Sequence, residues 1–159
     1  MKRFSSTASL ALAVVVVLGL AGPVAAGEQV PFKGSYEGSF TQTPIPGTPN
    51  ALVVTIGEGE ATQLGRFSFD FQGIVKPGLP TETTYTFTAA NGDELFAAGV
   101  ARSTLLPNGL RHVVETATIT GGTGRFAGAT GSFIGERLLN RTTREVIGFF
   151  DGTISAPGP

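Results

Sequence analysis

Glu115 is the residue of this sequence whose surroundings most suggest chemistry. Along one extended stretch it alternates with Val113, Ala117 and Ile119, so these residues would share one face of a strand. A carboxyl group on an otherwise apolar inner face is a candidate catalytic proton donor or acceptor. The opposite orientation stays open, with Val114 inside and the carboxylate paired to an arginine in solvent, because acidic residues are seldom buried unpaired.

Aromatic side chains add candidate ligand-binding groups. Tyr36, Phe69 and Tyr85 lie on the larger-residue faces of alternating segments, and such faces are expected to point into a core. A tyrosine hydroxyl in an apolar pocket could hydrogen-bond a ligand, whereas a tyrosine that only packs directs its hydroxyl to the rim. Together with Glu115, these three residues are the predicted ligand-binding set.

The composition excludes several classes of site. The chain has no cysteine, so disulfides, thiolate-bound zinc, iron–sulfur clusters and thiol catalysis are ruled out. Its single histidine, His112, and the spacing of its acidic residues predict no metal site. Eleven Lys and Arg against twelve Asp and Glu provide no basic face for nucleic acid. Arg137, Arg141 and Arg144 are predicted to form a hydrated hairpin edge.

The first segment has the pattern of a targeting signal. Lys2 and Arg3 precede an apolar run, which ends in small residues before Gly27. This order predicts a secretory signal peptide over residues 1–26 and a secreted mature domain, 27–159, in the extracellular space or the periplasm. The apolar run is shorter than the ~20 residues of a bilayer span, so we expect no membrane span after cleavage. A secreted chain without disulfides favours a bacterial origin.

The mature chain is predicted to be all-β. Short segments rich in Val, Ile, Thr, Phe and Tyr are separated by Gly, Pro, Asn and Asp. The clearest alternation places Phe67, Phe69 and Phe71 on one face of a strand. The eight predicted strands span residues 32–41, 51–57, 65–75, 83–90, 94–105, 111–120, 131–139 and 146–155.

Glycine within the predicted strands favours a closed sheet. Glycine weakens a strand unless the sheet bends sharply there, as a small barrel requires. An eight-stranded antiparallel closed β-barrel is therefore the predicted fold, with an open sandwich as the alternative. The glycines in question are Gly34, Gly38, Gly73, Gly99, Gly135, Gly148 and Gly152.

A glycine-rich segment joins the sixth and seventh predicted strands. No Gly-Lys-Ser/Thr follows it, and it links strand to strand, so it is not a phosphate-binding loop. Gly121, Gly122 and Gly124 are expected to supply unusual backbone dihedrals. Arg125 and Phe126 then begin one helical turn, and Phe126 is expected to plug one end of the barrel.

This segment, GGTGRFAGATG, resembles the dirigent and allene oxide cyclase superfamily, and in particular its bacterial members. The resemblance implies an eight-stranded antiparallel barrel with a largely apolar interior cavity and without a metal or organic cofactor. It also implies a homo-oligomer, either a trimer or a dimer. Plant members steer radical coupling or cyclise a reactive oxylipin inside the cavity. The shared motif is a turn that supplies no catalytic group, so the resemblance implies a fold and a cavity but no particular reaction.

Three functions are compatible with these features. The first is an exported barrel that binds a small apolar or aromatic molecule, and the second is a structural or surface barrel filled by its own phenylalanines. The third is a cofactor-free isomerase or cyclase that uses Glu115 and a tyrosine to polarise its substrate. A cavity near or above the ~300 Å³ lower range of ligand sites would separate binding and catalysis from a filled core.

Overall fold

In the computed structural model, residues 27–158 are described, and they form a closed antiparallel barrel. Each strand pairs with its neighbours along the chain, and the first strand pairs with the eighth. Closure removes the free edges that a sandwich would keep, so the predicted barrel is confirmed. The elements are β1 (Gln29–Pro44), β2 (Ala51–Ala61), β3 (Gly65–Val75), β4 (Thr81–Ala89), β5 (Glu94–Leu105), β6 (Arg111–Gly122), a 3-10 turn (Gly124–Phe126), β7 (Gly131–Leu139) and β8 (Glu145–Ser155).

The signal peptide predicted for residues 1–26 lies outside the described residues. Among residues 27–158, the structure contains no helix with the length and apolar character needed to cross a membrane.

The first two strands exceed their predicted lengths the most. β1 pairs with β8 along residues 29–39 and with β2 along residues 34–44, so its two ends serve different neighbours. This stagger follows from the tilt of strands in a closed barrel. β1 therefore continues beyond residue 41 to Pro44, and β2 extends to Ala61.

The barrel has one filled end and one open end. At the filled end, where the β2–β3, β4–β5 and β6–β7 connections lie, inward-pointing rings pack with centroids 4.7–6.3 Å apart. Phe126, which is 0% exposed, plugs this end as predicted. The open end, at the β1–β2, β3–β4, β5–β6 and β7–β8 connections, has a smaller cluster of buried apolar residues: Phe40, Ala101, Val113, Leu139 and Val146.

Several glycines within the strands make room for aromatic rings on neighbouring strands. A Cβ on Gly34 would lie 2.7 Å from Cζ of Phe150, and one on Gly148 would lie 2.6 Å from Cζ of Tyr36. Such distances are shorter than van der Waals contact, so an alanine would displace the ring. These glycines thus do more than allow bending: they determine how many rings the barrel can hold.

The glycine-rich segment ties two loops together at the filled end. The Arg125 backbone N–H donates to Asp93 Oδ2 at 3.3 Å, and the Arg125 side chain donates to the Leu64 carbonyl at 3.2 Å. The Glu94 N–H donates to the Thr123 hydroxyl at 2.8 Å. Gly124 has φ +52°, and a Cβ there would overlap the Asp93 carboxylate.

We expect Gly124→Ala to lower the free energy of unfolding by about 2–4 kcal/mol, because it adds a steric clash with Asp93 to an unfavourable left-handed backbone. Gly128→Ala is the matched control, since Gly128 also has positive φ but a Cβ at that position would meet no atom within 4 Å. The control should lose only about 1 kcal/mol. Urea unfolding measures both losses, and equal losses would show that the Asp93 contact does not matter.

Candidate functional site

Glu115 points into the barrel and is 1% exposed. Arg137 Nη1 donates to its Oε2 at 2.6 Å, and the Tyr85 hydroxyl donates to the same oxygen. The Thr83 hydroxyl donates to the other carboxylate oxygen, Oε1. Of the two orientations open from the sequence, the structure shows the inward one, and a buried arginine supplies the compensating charge.

Arg137 does not lie at a hydrated hairpin edge, and that prediction is wrong. Its side chain extends from β7 into the barrel and is buried there, with Cζ 4.5 Å from the centroid of the Phe71 ring. In β7 it alternates with Phe133, Gly135 and Leu139 on the inner face. This alternation is the sequence pattern from which the inward orientation of Arg137 could have been predicted. Arg141, in contrast, is exposed in the β7–β8 connection.

Thr83, Tyr85, Glu115 and Arg137 form one hydrogen-bonded network, and small residues on β5 make room for it. Thr83 and Tyr85 belong to β4 and Glu115 to β6, so β5 lies between them. The inner face of β5 there carries Ala97 and Gly99, which stand opposite Tyr85 and Thr83. A Cβ on Gly99 would lie 2.5 Å from Glu115 Oε1. Side chains from β4 therefore reach the carboxylate across an almost bare strand.

Tyr85, Tyr36 and Arg137 all have raised pKa values, so they keep their protons to a higher pH than usual. Burial raises the pKa of Tyr85 well above its ordinary value, although Arg137 opposes the shift. Burial also raises the pKa of Tyr36, and Arg137 again opposes it. Burial tends to lower the pKa of Arg137, but Tyr85 and Glu115 more than offset this, so its pKa is raised. At neutral pH the site thus combines a charged guanidinium with neutral phenol donors.

A cavity of about 400 Å³ opens beside this network at the open end. Thr83 and Arg137 are its deepest polar groups, and Arg137 Nε has no hydrogen-bond partner among the described residues. The β3–β4 connection, residues 76–80, forms part of its mouth. The volume lies within the range of small-molecule sites. Its apolar wall consists of Phe40, Val53, Phe71, Ala101, Val113 and Leu139.

The structure brings together only part of the predicted ligand-binding set. Tyr85 and Glu115 are in contact, while the Tyr36 and Phe69 rings pack on each other with centroids 4.8 Å apart. These four residues lie behind the cavity wall, within the described part of the chain, and do not line the cavity itself. Thr83 and Arg137, which the sequence analysis did not select, are the members of the network that reach it. Across residues 27–158, the acidic and histidine side chains form no cluster of three that could hold a metal ion.

The chain contains two tyrosines, Tyr36 and Tyr85, and no tryptophan, so alkaline titration reports directly on this site. The folded state keeps both phenols protonated at a pH where the unfolded chain releases its protons. The folded state therefore binds more protons than the unfolded state at that pH. The free energy of unfolding is retained below about pH 10 and falls as the pH rises further. Each tyrosine contributes a slope of at most about 1.4 kcal/mol per pH unit. We expect tyrosinate absorbance to appear together with loss of the far-ultraviolet circular dichroism of the barrel.

Tyr85→Phe should make this slope shallower by removing one of the two phenols. Tyrosinate absorbance that rises near pH 10 while the circular dichroism stays native would contradict the prediction, because it would show that a phenol ionises in the folded barrel.

Known structures similar to this chain share its fold. No protein-family model matches the sequence, and neither does any curated protein sequence. The pterocarpan synthase dirigent protein GePTS1 is 15% identical, with a TM-score of 0.54 over 82% of this chain and 91% of that one. The pterocarpan synthase dirigent protein PsPTS1 is 14% identical, with a TM-score of 0.54 over 83% of this chain and 97% of that one. The chain therefore has a dirigent-like eight-stranded barrel, and at this identity the likeness shows the fold alone.

Proposed function

We propose that this protein is an exported barrel that binds a small apolar or aromatic molecule at its open end. The observation that carries the proposal is the cavity of about 400 Å³, which has apolar walls and ends on Thr83 and Arg137. Ligand sites commonly combine such walls with a few polar groups that orient the ligand. Export rests on the signal-peptide pattern of residues 1–26.

The uneven filling of the barrel supports binding over a purely structural role. At the filled end, the side chains of Phe32, Phe87 and Phe126 are almost completely buried and occupy the interior of the barrel. At the open end, Ala101 and Val113 occupy positions where larger side chains would close the cavity. A barrel that served only as a structural unit could bury more apolar surface by filling this volume with larger side chains.

The polar groups at the bottom of the cavity restrict how a ligand is oriented. The Thr83 hydroxyl proton is used by Glu115, so its oxygen is free to accept a hydrogen bond from a ligand hydroxyl. The Arg137 guanidinium is held in place by Glu115 and Tyr85 and is stacked on Phe71. Such pre-organised groups favour a ligand whose apolar body can form a hydrogen bond at the inner end of the cavity.

We expect Ala101→Phe to weaken the binding of 1-naphthol, a neutral aromatic probe, at least about tenfold by occupying the cavity. Val100→Phe is the matched control, because Val100 is the neighbouring residue in β5 and lies on the outer face, 49% exposed. Isothermal titration calorimetry measures the affinity, and thermal unfolding shows whether each variant is folded. Equal affinity of the wild type and of folded Ala101→Phe would contradict the proposed site.

A second candidate function is a cofactor-free isomerase or cyclase. The Glu115–Arg137–Tyr85 network favours it, because a buried guanidinium beside the cavity can stabilise negative charge that develops on a substrate oxygen. In this arrangement Arg137 would touch the substrate, and Glu115 would be a positioning residue.

The cyclase candidate is tested with an unsaturated allene oxide generated in solution. Spontaneous cyclisation gives a racemic cyclopentenone, so an excess of one enantiomer would report guidance by the barrel. If the candidate is correct, Glu115→Gln lowers this excess in protein that thermal unfolding shows to be folded. Glu136→Gln is the control, since Glu136 is a partly exposed residue of β7 that pairs with His112. A racemic product with the wild type would exclude this candidate for that substrate class.

A further inference from the structure

Three positively charged residues lie at the mouth of the cavity. Lys76 follows β3, Arg111 begins β6, and Arg141 follows β7. Arg102 of β5 also lines the rim, but it has the outward register of Val100 and is not counted with them. Three separate parts of the chain thus bring cations to one opening. Among the described residues that line this cavity, none is Asp or Glu.

These cations are not neutralised by neighbouring acids. The ion pairs within residues 27–158 use other basic residues, and Arg111 donates only to the Ser103 hydroxyl at 3.1 Å. Glu82 lies between two threonines that line the cavity, but it is exposed on the outer face of β4. The Arg137 charge deeper in the cavity is compensated by Glu115. The uncompensated charge is therefore concentrated at the mouth.

This concentration of charge contrasts with the rest of the chain. Without Lys2 and Arg3, the protein has nine Lys and Arg against twelve Asp and Glu, so its net charge is negative. A basic opening on an acidic protein attracts anions to that opening and repels them from other surfaces. The positive charge at the mouth therefore favours a negatively charged ligand, which the apolar walls alone do not.

We propose that the ligand of this cavity is an aromatic or other apolar molecule that carries a dianionic, phosphate-like group, with the apolar body inside and the anion at the mouth. This inference rests on the proposed binding function and deepens it. Two arginines and a lysine at one opening match a ligand group with two negative charges better than a group with one, and the planar guanidinium forms paired hydrogen bonds with phosphate oxygens. A cavity of about 400 Å³ holds a bicyclic body but not the two acyl chains of a phospholipid.

Three probes with the same ring system test this proposal: 1-naphthyl phosphate, 1-naphthoate and 1-naphthol. Affinities are measured by calorimetry near pH 8, where the phosphate monoester is doubly charged. We expect the phosphate to bind most tightly, the carboxylate next and the alcohol most weakly. Added salt should weaken phosphate binding, since Lys76 and Arg141 are exposed to solvent.

The mouth is tested with Lys76→Gln/Arg141→Gln, which removes two of the three cations. Affinity for 1-naphthyl phosphate should fall about tenfold, while affinity for 1-naphthol stays within about twofold of the wild type. Lys33→Gln/Arg66→Gln is the matched control, because it makes the same change in net charge near the filled end. This control should leave both affinities within about twofold of the wild type.

The outcomes separate this inference from the proposed function. If 1-naphthol binds as tightly as 1-naphthyl phosphate, the dianion inference is wrong and the binding cavity stands. An unchanged phosphate affinity in Lys76→Gln/Arg141→Gln would also overturn the inference. If no probe binds, the proposed function itself fails. Binding to vesicles of anionic phospholipid without binding to 1-naphthyl phosphate would overturn the inference in favour of a membrane-facing surface.

Discussion

The ion pair between Glu115 and Arg137 is the interaction on which the interior of this barrel depends. Two charges can be buried in an apolar core only if they neutralise each other and their remaining hydrogen-bonding groups find partners. Thr83 and Tyr85 supply those partners on the carboxylate side. Removing either charge would leave the other buried and uncompensated, at a cost of about 3–5 kcal/mol. The pair also lies at the boundary between the filled and open halves of the barrel.

On one side of this boundary, aromatic packing and backbone geometry act together. The rings fit because glycines such as Gly34 and Gly148 leave space on adjacent strands. The segment from Gly121 to Phe126 closes the same end and holds the β4–β5 turn through Asp93. The motif that supports the family resemblance therefore belongs to the stability of the fold and lies at the opposite end from the cavity, so it gives no information about the ligand.

On the other side, small side chains and uncompensated charge define the cavity. Ala101 and Val113 leave volume that larger residues would fill, and Arg137 and Thr83 provide polar groups at its base. Binding and catalysis would use the same groups in this barrel, since a guanidinium that orients a ligand oxygen can also stabilise charge on it. In the proposed binding site, the basic mouth would add selectivity for the charge of the ligand, which the apolar wall does not supply.

The sequence by itself predicted the eight strands, and it determined the inner face of a strand with clear alternation such as 65–75, where every second residue lies on one side. It also favoured closure over an open sandwich, through glycine content, and predicted the plug at Phe126. It left the orientation of β6 open and did not identify Arg137 as an inner residue of β7. It did not determine the partner of Glu115, because that carboxylate and Arg137 are separated by 22 residues and meet only through the register of β6 with β7. The cavity and its charged mouth were decided by tertiary structure for the same reason. Each depends on several strand ends that come together only when the sheet closes.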